Sequence, residues 1–153
     1  GHSASQATEV LGVISLGGVA GSIGMGIVSR FISIRPLMIS CLTLTAIGVA
    51  LFPYFTETLE SMKLVGFLTG TFIFAAISGF FGLFATTFPS SLLGSGSGLV
   101  LCIGRGGAVL GPMIPGFLFA AGLALTQVAL FMAAGSFLAG LTVLFMRQKS
   151  VGE

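Results

Sequence analysis

The sequence predicts an all-α integral membrane fold of about five transmembrane helices, and three observations carry that expectation. Of the 153 residues, 55% are hydrophobic and only 7% charged, with a mean hydropathy of +1.14. A soluble domain carries about 25% charged residues, and a domain of this length has no interior large enough to hide so much apolar surface. The apolar residues fall into five runs of the roughly 20 residues that a spanning helix needs, and none alternates with the period of two that barrel strands require. Glycine is abundant, at 24 residues. In water so much glycine would weaken helices, but in a bilayer small residues let helix backbones approach closely.

The first span covers 8–28, and the connector "SRFISIRP" ends it at Pro36, which opens the next. The second covers 37–55 and is followed by the polar, acidic "TETLESM". The third covers 63–86, closed by "TFPSSLLG", where Pro89 and two serines break the helix. The fourth, 95–121, and the fifth, 123–146, are joined only at Gly122 and form a tight hairpin. The second and fifth spans carry no charge inside the core and read as lipid-facing support.

Orientation follows the bias of Lys and Arg toward the cytoplasm. Arg30 and Arg35 lie in the first connector and Arg147 and Lys149 in the tail, against Glu57, Glu60 and Lys63 in the second connector. With five spans this puts the N-terminus of this segment outside and its C-terminus in the cytoplasm. No basic n-region precedes the first span, so it is not a signal peptide. An odd number of spans with an outside start leads to the expectation that an N-terminal portion is missing.

Several function classes are set aside. The net charge of +2 and the lack of a basic-aromatic cluster exclude a nucleic-acid surface. No Ser/His/Asp set, carboxylate pair or metal cluster lies in the spans, so no enzyme, metal or cofactor is expected. His2 is the only histidine and lies at a terminus. Cys41 and Cys102, both in apolar runs, read as small core residues. "GSGSG" at 94–98 lacks the strand and the Lys-Ser/Thr of a phosphate loop.

The residue that asks for a function is Arg105. It stands about 15 Å into the fourth span, near the middle of a hydrocarbon core roughly 30 Å thick. A central arginine costs about 2.5 kcal/mol or more to insert, so it is expected to face the bundle interior or a water-filled cavity. Gly94, Gly98, Cys102, Ala108, Pro112 and Gly116 form a small-residue stripe on its face. The acids Glu9, Glu57, Glu60 and Glu153 all lie near termini or connectors, so nothing inside the spans neutralises it. The counter-charge must come from a partner segment, an anionic substrate, or both in turn. A guanidinium matches a carboxylate in bidentate geometry, which makes a small organic anion the natural cargo. The competing reading is a staple bonded to backbone carbonyls freed by Pro112 and Pro115. In the third span Phe67, Thr71, Phe74, Ser78 and Phe81 share a face that either stacks an aromatic substrate or packs against lipid.

The stretch "TFPSSLLGSGSGLVLCIGRGGAVLGP" (87–112) resembles the loop and eleventh helix of the major facilitator superfamily, and more narrowly of its aromatic acid:proton symporters. Gly96, Gly98, Gly104, Arg105, Gly107, Ala108, Gly111 and Pro112 match that pattern. "LGGVAGSIGMGIVSRFISIRP" (16–36) is similar to the eighth helix and its following loop: Gly26 and Arg35 fit the loop motif, while Arg30 stands at its usual Asp, Phe31 at the Arg and Ser33 at the Gly. The resemblance implies helices eight to twelve of twelve, with helix seven and the N-terminal half, including its proton-coupling acids, missing. It also implies alternating access to a midplane site, in a cell (inner) membrane, with a small organic anion and protons as partners. Gly17 and Gly21, with Gly98, Gly104, Gly107, Gly111 and Pro112, would pack the gating helices. Arg105, Phe74, Ser78 and Phe81 would serve binding or coupling. The alternatives are a transporter of another substrate, such as a sugar or a different organic acid, and a non-transporting membrane module derived from a transporter half, for which Arg30 at the acidic position speaks. The fragment alone is expected to be inactive.

Overall fold

In the computed structural model the described residues form five α-helices: α1 (Ala4–Val28), α2 (Ile34–Leu51), α3 (Leu59–Thr87), α4 (Leu93–Ala120) and α5 (Leu125–Phe145). A single 3-10 turn, Phe52–Phe55, extends α2. The structure describes residues 4–55 and 57–145, with Ala4 and Pro112 described by backbone alone. His2, Met146, Arg147, Lys149 and Glu153 lie outside the described residues. All five helices are long and apolar enough to cross a membrane.

Local chemistry sets the helix ends. The α3 helix begins inside the stretch read as the acidic connector, because Thr58 caps it: its hydroxyl accepts from the Ser61 amide at 3.2 Å. At the far side of α2, Pro53 has no N–H and cannot continue the α-helical ladder, so the last residues tighten into the 3-10 turn. The α4–α5 link is a Schellman closure. Gly122 takes φ +83°, Leu123 N–H donates to Leu118 O at 3.1 Å, and Gly122 N–H donates to Phe119 O at 2.9 Å. On the other side of that turn Gln127 reaches back to accept from the Ala124 amide at 3.0 Å, which delays α5 to Leu125.

The packing order is α1 against α3, α3 against α2, and α2 against α5. The α1–α3 seam is parallel and brings backbone against backbone. A Cβ on Gly17 would overlap the Phe67 carbonyl, and one on Gly21 the Thr71 carbonyl. From the other side, a Cβ on Gly70 would sit 2.5 Å from Ile14 O. Two glycine pairs one turn apart, Gly17/Gly21 and Gly66/Gly70, thus interlock, the arrangement by which apolar helices gain dispersion contact in lipid. Lys63 fastens the same seam at one end, with Nζ 2.6 Å from Glu9 and 3.4 Å from Glu60.

The core lies elsewhere than the uncharged look of α2 suggests. Instead of facing lipid, α2 supplies Met38, Cys41, Leu42, Thr45 and Ala46 to the interior, with Met38 at 0% exposure. Ala75, Ala76 and Leu83 of α3 and Val143 of α5 close around them. The absence of charge beyond Arg35 marked α2 for burial in protein as readily as for lipid, and its position between α3 and α5 decided between the two.

The outlier is α4. It approaches only α3 and α5, and no residue of its apolar stretch is buried.

Candidate functional site

The α4 helix is anchored near its ends. At its start Gly96 makes room for the Phe88 ring, whose Cδ1 lies 2.8 Å from a Cβ built there. Toward its end Pro115 and Phe119 close an apolar cavity of about 300 Å³ whose other walls include Ile14, Gly70, Leu125 and Val128. Between these anchors every residue from 102 to 110 is exposed.

Arg105 stands in the middle of that open stretch. Among the described residues it has no hydrogen bond, ion pair or ring contact. The interior-facing position expected for it is not formed by these five helices, because α4 lies along their margin with no wall opposite. Its five N–H donors are therefore all available. The glycines around it keep the surface low: a methyl added at Gly98, Gly104, Gly107 or Gly111 would meet nothing within 4 Å. These glycines do not pack α4 against the rest of the chain. Cys102, expected as a core residue, is likewise exposed. Pro112 and Pro115 lack the N–H that would bond the carbonyls of Ala108 and Gly111, which leaves two backbone acceptors on the same helix without their helical donors.

On α3, Thr71 and the backbone of Phe67 meet α1, while Phe74 and Phe81 are exposed. Phe74 is 40% and Phe81 52% exposed, with Ser78 half-buried between them. Phe81 meets the buried Phe84 edge-on, with ring centroids 6.3 Å apart at 70°. Phe74 leans across α1, where its Cδ2 would lie 2.7 Å from a Cβ on Gly18. No hydrogen bond, ion pair or ring contact joins Arg105 to Phe74, Ser78 or Phe81.

In the loop motif, Gly26 and Arg30 are exposed, and a methyl on Gly26 would meet nothing within 4 Å. Arg35 is engaged. Its Nε donates to Val143 O at 3.2 Å, and a terminal guanidinium nitrogen donates to Leu144 O. Both carbonyls lie in the last turn of α5, where helical donors run out and the dipole favours a cation. Arg35 therefore clasps the start of α2 to the end of α5. Sequence reading missed this partner because the acceptors are main-chain atoms more than a hundred residues away. It also missed the hydroxyls of Thr45 and Thr69, buried between helices with no partner among the described residues. Among the described residues there is no group of His, Cys, Asp and Glu that could hold a metal.

Fold and site together define an integral membrane helical bundle with a cation at mid-span of its least covered helix that has no partner among the described residues. Over 150 residues the chain is 27% identical to the 3-(3-hydroxy-phenyl)propionate transporter of Escherichia coli (strain K12), an alignment that takes in 97% of this chain and 37% of that protein. The chain thus spans little more than a third of the length of the curated relative it matches. No family model matches it, and no solved structure does.

Proposed function

We propose that the chain is the C-terminal part of a major facilitator transporter that carries a small organic anion, an aromatic acid, together with protons by alternating access. The observation that carries this reading is Arg105, a permanent cation at mid-helix, ringed by glycine and without a partner among the described residues. A bilayer does not tolerate such a group facing acyl chains. Another helical half therefore covers α4 and turns the face of Arg105 into the wall of a polar cavity, where the guanidinium holds the substrate carboxylate or pairs with a coupling acid. The alignment with a transporter of an aromatic acid supports the same direction. Arg30 and Arg35 lie at the end of the bundle assigned to the cytoplasm of a cell (inner) membrane, which leaves the start of α1 outside.

Proteoliposomes containing the full-length protein test this reading. Addition of 3-(3-hydroxyphenyl)propionate is expected to drive proton entry, seen as acidification of an entrapped pH dye, together with accumulation of the acid. Accumulation without proton movement contradicts symport. No substrate-dependent flux of either kind contradicts transport itself.

A further inference from the structure

We infer that a cavity between α2, α3 and α5 is a second binding site, for a small uncharged molecule carrying one hydroxyl on an apolar body. The site is separate from Arg105, and the inference does not depend on the cargo. The cavity measures about 260 Å³, walled by Thr45 and Val49 of α2, Ile73 and Phe80 of α3, and Met132 and Ser136 of α5. Among the described residues none of α4 lines it. It adjoins the cavity at the end of α4, with which it shares Val49, Ile73 and Met132.

Two hydroxyls meet in this cavity at one height. The α2 and α5 helices run antiparallel, with Arg35 bonded to Val143 and Leu42 lying against Gly140. One turn further along α2 the same pairing sets Thr45 opposite Ser136 and Phe137. Thr45 is 4% exposed, and its Oγ1 has no hydrogen-bond partner among the described residues. Ser136, half-buried, has none either. Beside Gly48, on the next turn of α2, Thr69 brings a further buried hydroxyl without a partner to the adjoining cavity. A buried hydroxyl left unbonded is costly, so one that lines a cavity calls for an occupant that bonds it. No charged side chain lines either cavity, and an ion there would lose its hydration without compensation. Water could serve the hydroxyls but not the rest of the space, because a buried water needs roughly two to four polar partners. An acyl chain would fill the apolar part and leave Thr45 unbonded. A hydroxyl on a short apolar body meets both demands. It donates to one of Thr45 and Ser136 and accepts from the other, while its carbons lie against Ile73 and Met132.

The test is photolabelling of the full-length protein in liposomes by a diazirine-bearing 1-octanol, read by peptide mass spectrometry. Unlabelled 1-octanol and octane serve as competitors at equal membrane content. Label is expected on the walls of this cavity, Ile73 and Met132 among them, and 1-octanol is expected to suppress it more strongly than octane. Thr45→Val and Ser136→Ala each delete one hydroxyl and leave the other walls in place. Either is expected to raise the 1-octanol needed for half-suppression by about fivefold, as loss of one hydrogen bond does, and Thr45→Ser to restore it. Ser136→Ala alters a half-buried position, so it decides the matter if Thr45→Val fails to fold. Label spread evenly over the lipid-facing helix surfaces overturns the site. Equal suppression by octane and 1-octanol, unchanged in both hydroxyl-deleted variants, makes the cavity an acyl-chain groove and overturns it as well.

Discussion

Arg105→Lys is expected to remove most anion uptake, by about tenfold or more in kcat/KM, while leaving the fold intact. The two parts of this expectation have separate grounds. A lysine keeps the charge but presents a compact, strongly hydrated ammonium, and it cannot offer the planar pair of N–H donors that a carboxylate accepts. The fold is spared because Arg105 is exposed and holds no bond to the rest of the described chain. Initial-rate uptake and detergent melting of the same purified variant separate the effects. Low uptake with unchanged melting supports an anion-holding role. Near-normal uptake contradicts it, and low uptake with a large drop in melting temperature points to the backbone staple instead.

Gly21→Ala is expected to produce the largest loss of stability from a single methyl group. The added Cβ would overlap the Thr71 carbonyl, a main-chain atom that no rotamer change can move aside. Relief requires α1 and α3 to separate, which also opens the neighbouring Gly17–Phe67 and Gly70–Ile14 contacts. Overpacking commonly costs about 1–3 kcal/mol, and a backbone clash at the centre of a glycine seam belongs at the upper end, about 3 kcal/mol. Gly24→Ala is the matched control, since a methyl there meets nothing within 4 Å. Thermal melting in detergent is expected to show a clear drop for the first and none for the second. Equal behaviour of the two variants contradicts the seam.

The overall architecture was legible because hydropathy alone fixes the number of apolar runs long enough to span a bilayer, and the five runs of the sequence are the five helices of the structure. Helix ends were less legible. The start of α3 turned on whether Thr58 would cap it, and the polar residues on either side, Glu57 and Glu60, look equally like loop. The glycines were visible, but which of them touch anything was not. Gly17 and Gly21 of α1 meet α3 backbone, whereas Gly12, Gly24 and Gly26 of the same helix and Gly98, Gly104, Gly107 and Gly111 of α4 face open space. Arg35 shows the same limit from the other side. Its charge placed it in the basic connector, while its acceptors on α5 are carbonyls, which every residue has and no sequence pattern marks. Burial of α2 was hidden because its uncharged stretch beyond Arg35 carries the same composition whether lipid or protein surrounds it. For Arg105 the spacing gave depth along the helix, and the structure added that the surrounding face is bare.

The proposed function depends on whether the open face of α4 around position 105 lines a water-filled cavity in the full-length protein. Cysteine accessibility measures this directly. Every cysteine of the full-length protein except Cys102 is first replaced by alanine, Cys41 included, which leaves one exposed thiol a turn before Arg105 with the arginine intact. Membrane vesicles are treated with a charged, membrane-impermeant thiol reagent, with and without 3-(3-hydroxyphenyl)propionate. The expected result is modification of Cys102 that slows when the acid is present. A thiol there that ignores the charged reagent but reacts with an apolar one lies against acyl chains, and that result would contradict the polar pathway.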